Sequence, residues 1–543
     1  MIDSPRVLLV LLLVSSLVSY LGFSFGSTFN METSSSANFK KQCASITAAH
    51  CQTGFALKDF QKQAIERAMS KHPVTVVSVP TGSGKSCIFT LLPKFLGMAV
   101  LVISPLLGLI EDTLNNINDK YTNIRAIQLG SETVLSQLQR DIDNGSVDVV
   151  LATPESYLAR PTLNSSTALH NKLFGAVVID EAQDIVLVES TFRGDFVKMC
   201  KSSFSNLVLL SGSLTTNVER ELLTNYFPHV AGIKQGFQDK IYMDQDRKNL
   251  YHSIIQRKSL LDFSPLNWIL TLMVAFKDMP DEFPCIMIYF RTVNSLVAGY
   301  SWLRDKCPTV FQSRVSKFHA NIADISHRNN VVRKWSMRGG HISVVEATGG
   351  SLGKGINKPD LKCVIFWGSP QSIEDYIQGA GRAARDISLG MGLTFLYWAQ
   401  SQIPSEKLRE SSKKKGKIAK CIDDSMLDLL FRTKGDSMRE NCIRKCMLEK
   451  FDVQYEPSTS KTAECCSVCS AVIAEEVEKE RVEKERAEKE KEKEKRTRGG
   501  IAVERGTAMD VVEEPGVEQE EVEVEHAALE HSPEVPQNSV RVI

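Results

Sequence analysis

Two widely separated stretches hold the side chains best suited to chemistry: Pro80-Thr-Gly-Ser-Gly-Lys-Ser86 and Gln378-Gly-Ala-Gly-Arg-Ala-Ala-Arg-Asp386. In the first, Gly82 and Gly84 lack the Cβ that would keep backbone N–H groups from closing around a phosphate. Thr81 and Ser83 complete the loop. Lys85 is placed to reach the β- and γ-phosphates, and the Ser86 hydroxyl to bind Mg²⁺. The stricter G-x-x-x-x-G-K-[ST] spacing is not met, because residue 79 is Val. The second stretch offers Gln378 and two arginines, Arg382 and Arg385, one helical turn apart. Arginines of this kind stabilise charge on a transferring phosphoryl group once two lobes close on one nucleotide.

A third group lies between them. Val177-Val-Ile-Asp180-Glu181-Ala-Gln183 ends an apolar run in adjacent carboxylates. Asp180 is expected to hold Mg²⁺ and Glu181 to orient or deprotonate an attacking water. Upstream, Leu57-Lys-Asp-Phe-Gln61 places Lys58 and the Gln61 amide where an adenine can be read, with Phe55 as a stacking ring.

These groups need rigid supports. Val74–Val79, Val100–Ile103, Val147–Leu151, Ala176–Ile179 and Leu207–Leu210 read as buried strands separated by amphipathic stretches. Cys285–Tyr289, Ile342–Val345 and Val364–Trp367 form a second set. The pattern predicts α/β structure with parallel sheets covered on both faces, the chemistry sitting at strand C-termini. It divides the chain into an apolar segment 1–25, a linker 26–53, a first lobe 54–231, a second lobe 232–405, a helical cysteine-bearing region 406–470 and a charged tail 471–543. Residues 1–25 resemble a signal or anchor, or an artefact of the gene model. In the tail Val477, Val482 and Ala487 recur every five residues. Five fits no coiled-coil seam, so a solvated Glu–Lys helix or disorder is expected there.

The zero net charge averages two unlike parts. From Ala474 onward there are 12 basic and 21 acidic residues; the rest carries 53 basic and 44 acidic. A basic body suits a polyanionic partner. Thirteen cysteines, an odd number without framework spacing, argue against a disulfide-stapled secreted protein.

Across residues 55–470 the chain resembles the RecQ family of superfamily 2 DNA helicases. Ile103-Ser-Pro-Leu-Leu-Gly-Leu-Ile-Glu-Asp112, Thr153-Pro-Glu155, Phe192-Arg-Gly-Asp-Phe196, Phe318-His-Ala-Asn321 and Gly353-Lys-Gly-Ile-Asn-Lys-Pro-Asp360 are similar to that family's motifs. The resemblance implies two tandem RecA-like lobes with ATP and Mg²⁺ in the cleft, then a small helical zinc module and a disordered tail. It implies 3′ to 5′ translocation on single-stranded or partial-duplex DNA in the nucleus, with no small-molecule substrate beyond ATP. Ser104, Pro105, Thr153, Arg291 and Thr348 would contact the nucleic acid, mostly through phosphates. Other proteins could engage the charged tail.

Several positions depart from the pattern. Gln183 stands where the family has histidine. The following loop, Asp184–Thr191, lacks the usual aromatic. Leu210-Ser-Gly-Ser-Leu214 replaces Thr-Ala-Thr-Ala, and Asn357 replaces aspartate. ATP binding is therefore expected more firmly than efficient unwinding. Two other readings stay open: an ATP-gated nucleic-acid-binding paralogue with impaired coupling, and an RNA-directed helicase of the same superfamily.

The resemblance also implies a four-cysteine zinc site. Cys442, Cys446, Cys466 and Cys469 are the expected ligands, with Cys465 competing for the place of Cys446, because the family's third cysteine falls at Ala463. Only charged sequence follows Cys469, where the family continues into a winged-helix wedge, so a core-only enzyme is expected.

Overall fold

Aliphatic runs that alternate with longer amphipathic stretches can bury both faces of a sheet only if helices cover it. The computed structural model follows that rule twice. It describes residues 37–70, 74–105, 107–130, 132–160, 172–187, 190–200, 204, 206–227, 240–243, 245–319, 322, 324–348, 358–403, 422–432, 441–455 and 465–504. The segment 1–25, the basic run 412–417, Ala320-Asn321, residues 353–357 with Asn357, Ala463 and the acidic end beyond 504 lie outside them, as do the Phe192 and Arg193 side chains.

The first sheet comprises β1 (Val74–Ser78), β2 (Ala99–Ile103), β3 (Ala126–Gln128), β4 (Val149–Ala152), β5 (Phe174–Ile179), β6 (Leu207–Ser211) and β7 (Ile241–Tyr242), in the order β3-β4-β2-β5-β6-β1-β7. The second comprises β8 (Leu250–Arg257), β9 (Cys285–Phe290), β10 (Val315–Phe318), β11 (Val344–Thr348), β12 (Leu361–Trp367) and β13 (Gly392–Ala399), in the order β10-β11-β9-β12-β13-β8. Every strand pairing in both is parallel. Each sheet carries a hydrophobic core on either face. All the strands expected from the sequence are present.

Two boundaries move. Residues 26–53 were expected to be a linker, yet Ala37–His50 is a helix burying Phe39, Cys43 and Thr47. Those three share one helix face at i, i+4 and i+8, and Phe39 meets Phe95 with ring centroids 5.9 Å apart. The lobe boundary also shifts from 231/232 to beyond Tyr242, because β7 pairs with β1 at the edge of the first sheet.

The cysteine region shares the second lobe's core: Met426, Leu430, Cys442 and Ile443 pack with Tyr376 and Trp398. Residues Ser467–Glu504 then form one helix of 38 residues. Its side chains are exposed from Glu478 to Lys491, and Arg481 pairs with Glu478 and Glu485 at 2.7 and 2.6 Å. The beginning of the 471–543 tail is therefore a solvated helix. No described helix is long and apolar enough to cross a membrane.

One core position is costly. Glu346, central in β11, is 1% exposed, and its Oε2 has no hydrogen-bond partner. Gly299 makes room chiefly for the Phe290 ring beside it, since a Cβ there would stand 2.5 Å from Phe290 Cζ and 3.2 Å from the Glu346 oxygen. Burial pushes the Glu346 carboxyl well above its ordinary range, with Lys317 opposing. A carboxyl whose folded pKa is raised contributes stability below its unfolded pKa and loses it as pH rises. Urea unfolding should therefore show E346M more stable than the native chain by about 1–3 kcal/mol at pH 8, the gap narrowing toward pH 4. A gap independent of pH would contradict the assignment.

Candidate nucleotide site and cysteine cluster

The phosphate loop leaves β1 and enters the helix Ser86–Leu96. Gly84 has φ +96°, and a Cβ on it would stand 3.0 Å from Gln61 Nε2. That closeness is used: Gln61 Nε2 donates to the Gly84 carbonyl at 2.8 Å, while Gln61 Oε1 accepts from the Lys58 backbone N–H at 2.8 Å. Lys58 Nζ donates to the Ser83 carbonyl, also at 2.8 Å. Lys58 and Gln61 thus brace the loop from outside. Phe55 is 39% exposed, a ring left free of the core beside them. Ser86 opens the helix with its side chain exposed.

Lys85 folds back toward Val79, its Nζ 3.3 Å from that carbonyl. Burial lowers its pKa, and Glu181 and Asp180 pull the other way. Asp180 follows β5, and its N–H donates to the Ile103 carbonyl at 2.9 Å. Burial, then Glu181, pushes the Asp180 carboxyl up. Two adjacent carboxylates in a buried cleft beside a lysine form a donor set that a divalent cation would relieve, so the residues fit Mg²⁺. Glu181 itself has φ 52°, which turns the chain sharply after the strand.

Gln183 is buried and occupied on both sides. Its Nε2 donates to Glu181 Oε2 at 2.8 Å, and its Oε1 accepts from the Ser211 hydroxyl at 2.6 Å. Ser211 Oγ in turn accepts from the Ser213 N–H at 3.2 Å. Two residues on, the Thr215 hydroxyl donates to Glu374 Oε1 of the second lobe at 2.7 Å. Glutamine therefore bridges the carboxylate box and the Ser-Gly-Ser strand end, because its amide offers one donor and one acceptor on opposite sides.

The second lobe supplies the arginines. The helix Ile373–Ala380 ends in a turn, with Gln378 buried in its last turn. A Cβ on Gly381 would lie 2.7 Å from Thr81 Oγ1, and one on Gly82 would lie 3.5 Å from Arg385 Cδ. The arginine turn therefore rests directly on the phosphate loop. Burial, with Arg382 and Arg247 beside it, pulls Arg385 down to about 9. Arg382 lies near Asp112 of the first lobe, whose carboxyl burial pushes up to about 6 against that guanidinium. Sequence reasoning missed Arg247, Thr215 and Glu374. Nothing in Asp246-Arg247-Lys248-Asn249 distinguishes it from a surface run.

The expected nucleic-acid residues sit as pairs at strand ends. Ser104 and Thr153 follow the registered pair Ile103 and Ala152 of β2 and β4. Thr348 ends β11 in register with Phe290, and Arg291 follows that residue. Ser104 and Pro105 are buried. The Thr153 hydroxyl caps the short helix Pro154–Leu158, accepting from Ser156 N–H at 3.2 Å.

Four thiols, Cys442, Cys465, Cys466 and Cys469, gather with all Sγ atoms within 4.8 Å of one another. Cys442 lies 3.7 Å from Cys465 and 3.8 Å from Cys466, and Cys465 is 3.7 Å from Cys466. A tetrahedral thiolate site with Zn–S near 2.3 Å has edges of about 3.8 Å, so the cluster fits zinc. Hydrogen bonds from Cys442 and its neighbours pull the Cys466 thiol down toward the thiolate that a metal needs. The expected ligand Cys446 is not among them; Cys465 takes its place. Cys442 is the residue before the helix Ile443–Leu448, with φ −52° and ψ 123°. Outside the helical region, one-turn spacing no longer puts the two side chains on one face, and Cys446 lies among Arg432, Glu449 and Asp428 instead. Metal analysis of the purified protein should find C465S stripped of zinc at least tenfold more readily than C446S. Equal loss from both would contradict this ligand set.

Residues 58–221 match the DEAD/DEAH box helicase family, and residues 269–386 match the helicase conserved C-terminal domain. The RecQ-like DNA helicase blm-1 of Caenorhabditis elegans is 26% identical over 75% of this chain and 40% of its own length. The ATP-dependent DNA helicase Q-like 4B of Arabidopsis thaliana is 28% identical over 60% of this chain and 27% of its own. The ATP-dependent DNA helicase Q5 of Rattus norvegicus is 23% identical over 76% and 42%. The chain thus spans less than half the length of these relatives. Both helicase domains occur in order around one shared cleft, and over most of its sequence the chain is similar to RecQ-like DNA helicases.

Proposed function

We propose that this chain is an ATP-dependent DNA helicase or translocase of RecQ type, moving 3′ to 5′ on single-stranded DNA. The observation that carries this reading is the arginine turn of one lobe resting on the phosphate loop of the other. In that arrangement the loop N–H groups and Lys85 hold the β- and γ-phosphates. Ser86 and Asp180 would hold Mg²⁺, which would supply neutralisation of phosphate charge. Glu181 orients the attacking water, and Gln183 fixes the Glu181 carboxylate by its hydrogen bond. Arg382 and Arg385 meet the charge that develops on the γ-phosphoryl group; such arginines are worth about 10³–10⁵ in rate.

Coupling to DNA needs a path from this site to the strand-end pairs. Gln183, Ser211, Ser213 and the Thr215–Glu374 contact supply connected steps toward the second lobe. Zinc in the four-cysteine cluster would tie the module's ends together, and Cys442, Cys465, Cys466 and Cys469 would hold it. DNA as substrate, rather than RNA, follows the RecQ relatives, and with it a nuclear place of work. The charged helix after Cys469 is the part left for protein partners.

Steady-state ATPase should rise severalfold or more with single-stranded DNA, rise less with RNA, and vanish in K85A. Hydrolysis unaffected by DNA would reject the motor and favour the uncoupled binder. Stronger stimulation by RNA would favour the RNA-directed reading.

A further inference from the structure

The helix Ile373–Ala380 ends just before the arginine pair. The last carbonyls of any helix lack intrahelical partners and must find donors elsewhere. Here the N–H groups of Gly381, Arg382 and Ala383 serve Ile377, Gly379 and Ala380, and one side chain serves the carbonyls of the turn beyond them. Arg247 Nη1 donates to the Gly381 carbonyl at 3.1 Å, and Nη2 donates to the Ala383 and Ala384 carbonyls at 3.0 and 2.8 Å. Asn249 Nδ2 adds a second donor to Ala384 at 2.9 Å, and Arg247 Nε donates to Asn249 Oδ1 at 3.2 Å. Ala384 has φ 45°, a left-handed conformation that an alanine does not hold without support.

The clamp reaches the reacting arginine directly. Arg385 Nε donates to the same Gly381 carbonyl, at 3.3 Å, that receives Arg247 Nη1. Arg247 is itself anchored from below. Arg444, at the start of the cysteine module, donates to the Arg247 carbonyl at 3.0 Å and pairs with Asp246. The Arg444 side chain is nearly fully buried. A planar fork with fixed donors suits three neighbouring carbonyls in a way that an ammonium on a flexible stem does not.

We propose that Arg247 is a positioning residue for the arginine pair: it holds the 381–384 turn in the one shape that aims Arg382 and Arg385 at the phosphate loop, and Arg444 of the cysteine module locks it in place. Arg247 touches neither nucleotide nor water in this assignment. It acts through the turn, so its loss should slow the chemical step without weakening ATP binding.

The kinetic arm rests on the ATP-hydrolysis reading above; a second arm does not. In R247K, ATPase kcat should fall about 10²-fold, the usual cost of a misplaced catalytic group, while the KM for ATP stays within about threefold. N249A, which removes one donor and leaves the fork, should lose less in the same direction. In parallel, hydrogen exchange of the 382–385 amides should quicken in R247K, with the unfolding midpoint within a few degrees of native. Unchanged kcat, or a fall matched by lost ATP affinity, would overturn the proposal. Should the native chain prove to lack turnover, the functional reading fails while exchange still decides: equal protection in native and R247K would overturn the clamp, and lost protection would support it.

Discussion

The close approach of the 381–385 turn to the phosphate loop is the constraint on which the rest of the site depends. Arg382 and Arg247 lie beside Arg385, and burial followed by their charges lowers its affinity for a proton, while burial lowers that of Arg247. Across the cleft, Asp180 and Glu181 crowd one another in the same way. Like charges gathered on both sides are expensive in a low dielectric. A polyphosphate with its cation is the ligand that compensates both at once. The energetic cost of assembling the cleft is therefore also the source of its selectivity.

The supports follow from that need. Parallel sheets place turns at strand C-termini, so β1 and β5 carry the phosphate loop and the carboxylates, while β9 and β11 carry Arg291 and Thr348. Gln183 substitutes an amide for an imidazole, yet still spans from Glu181 to Ser211. What changes is titration: a histidine there would exchange protons near neutral pH, whereas glutamine keeps one fixed donor and one fixed acceptor. The cysteine module is continuous with the second lobe's core through Tyr376 and Trp398. It therefore stands as a buttress of the arginine turn as well as a fold in its own right.

Much of this was legible because buried parallel strands leave unbroken aliphatic runs and phosphate loops leave glycines. The parts that were not legible fail for identifiable reasons. The helix Ala37–His50 hides its apolar face among Ser, Thr and Ala, so only Phe39 and Cys43 mark it. Strand β7 is two residues long and derives its identity from pairing with β1, not from composition. Cys446 follows Cys442 by one helical turn, but Cys442 is not yet helical, and no sequence rule reveals that ψ. Arg247 looks like any solvated arginine until the turn it supports is in place. Tertiary contacts, rather than local propensity, decide all four.

The central claim is that one nucleotide site is made jointly by two lobes. The most direct test is distance: fluorophores introduced without cysteine chemistry at exposed Asn144 and Asp305, one in each lobe, read by energy transfer during titration with a non-hydrolysable MgATP analogue. Transfer should rise to a saturating plateau in the native chain and shift less, at higher ligand concentration, in R385A. Transfer that stays flat while the analogue is shown to bind, or an R385A curve indistinguishable from native, would contradict a jointly built site.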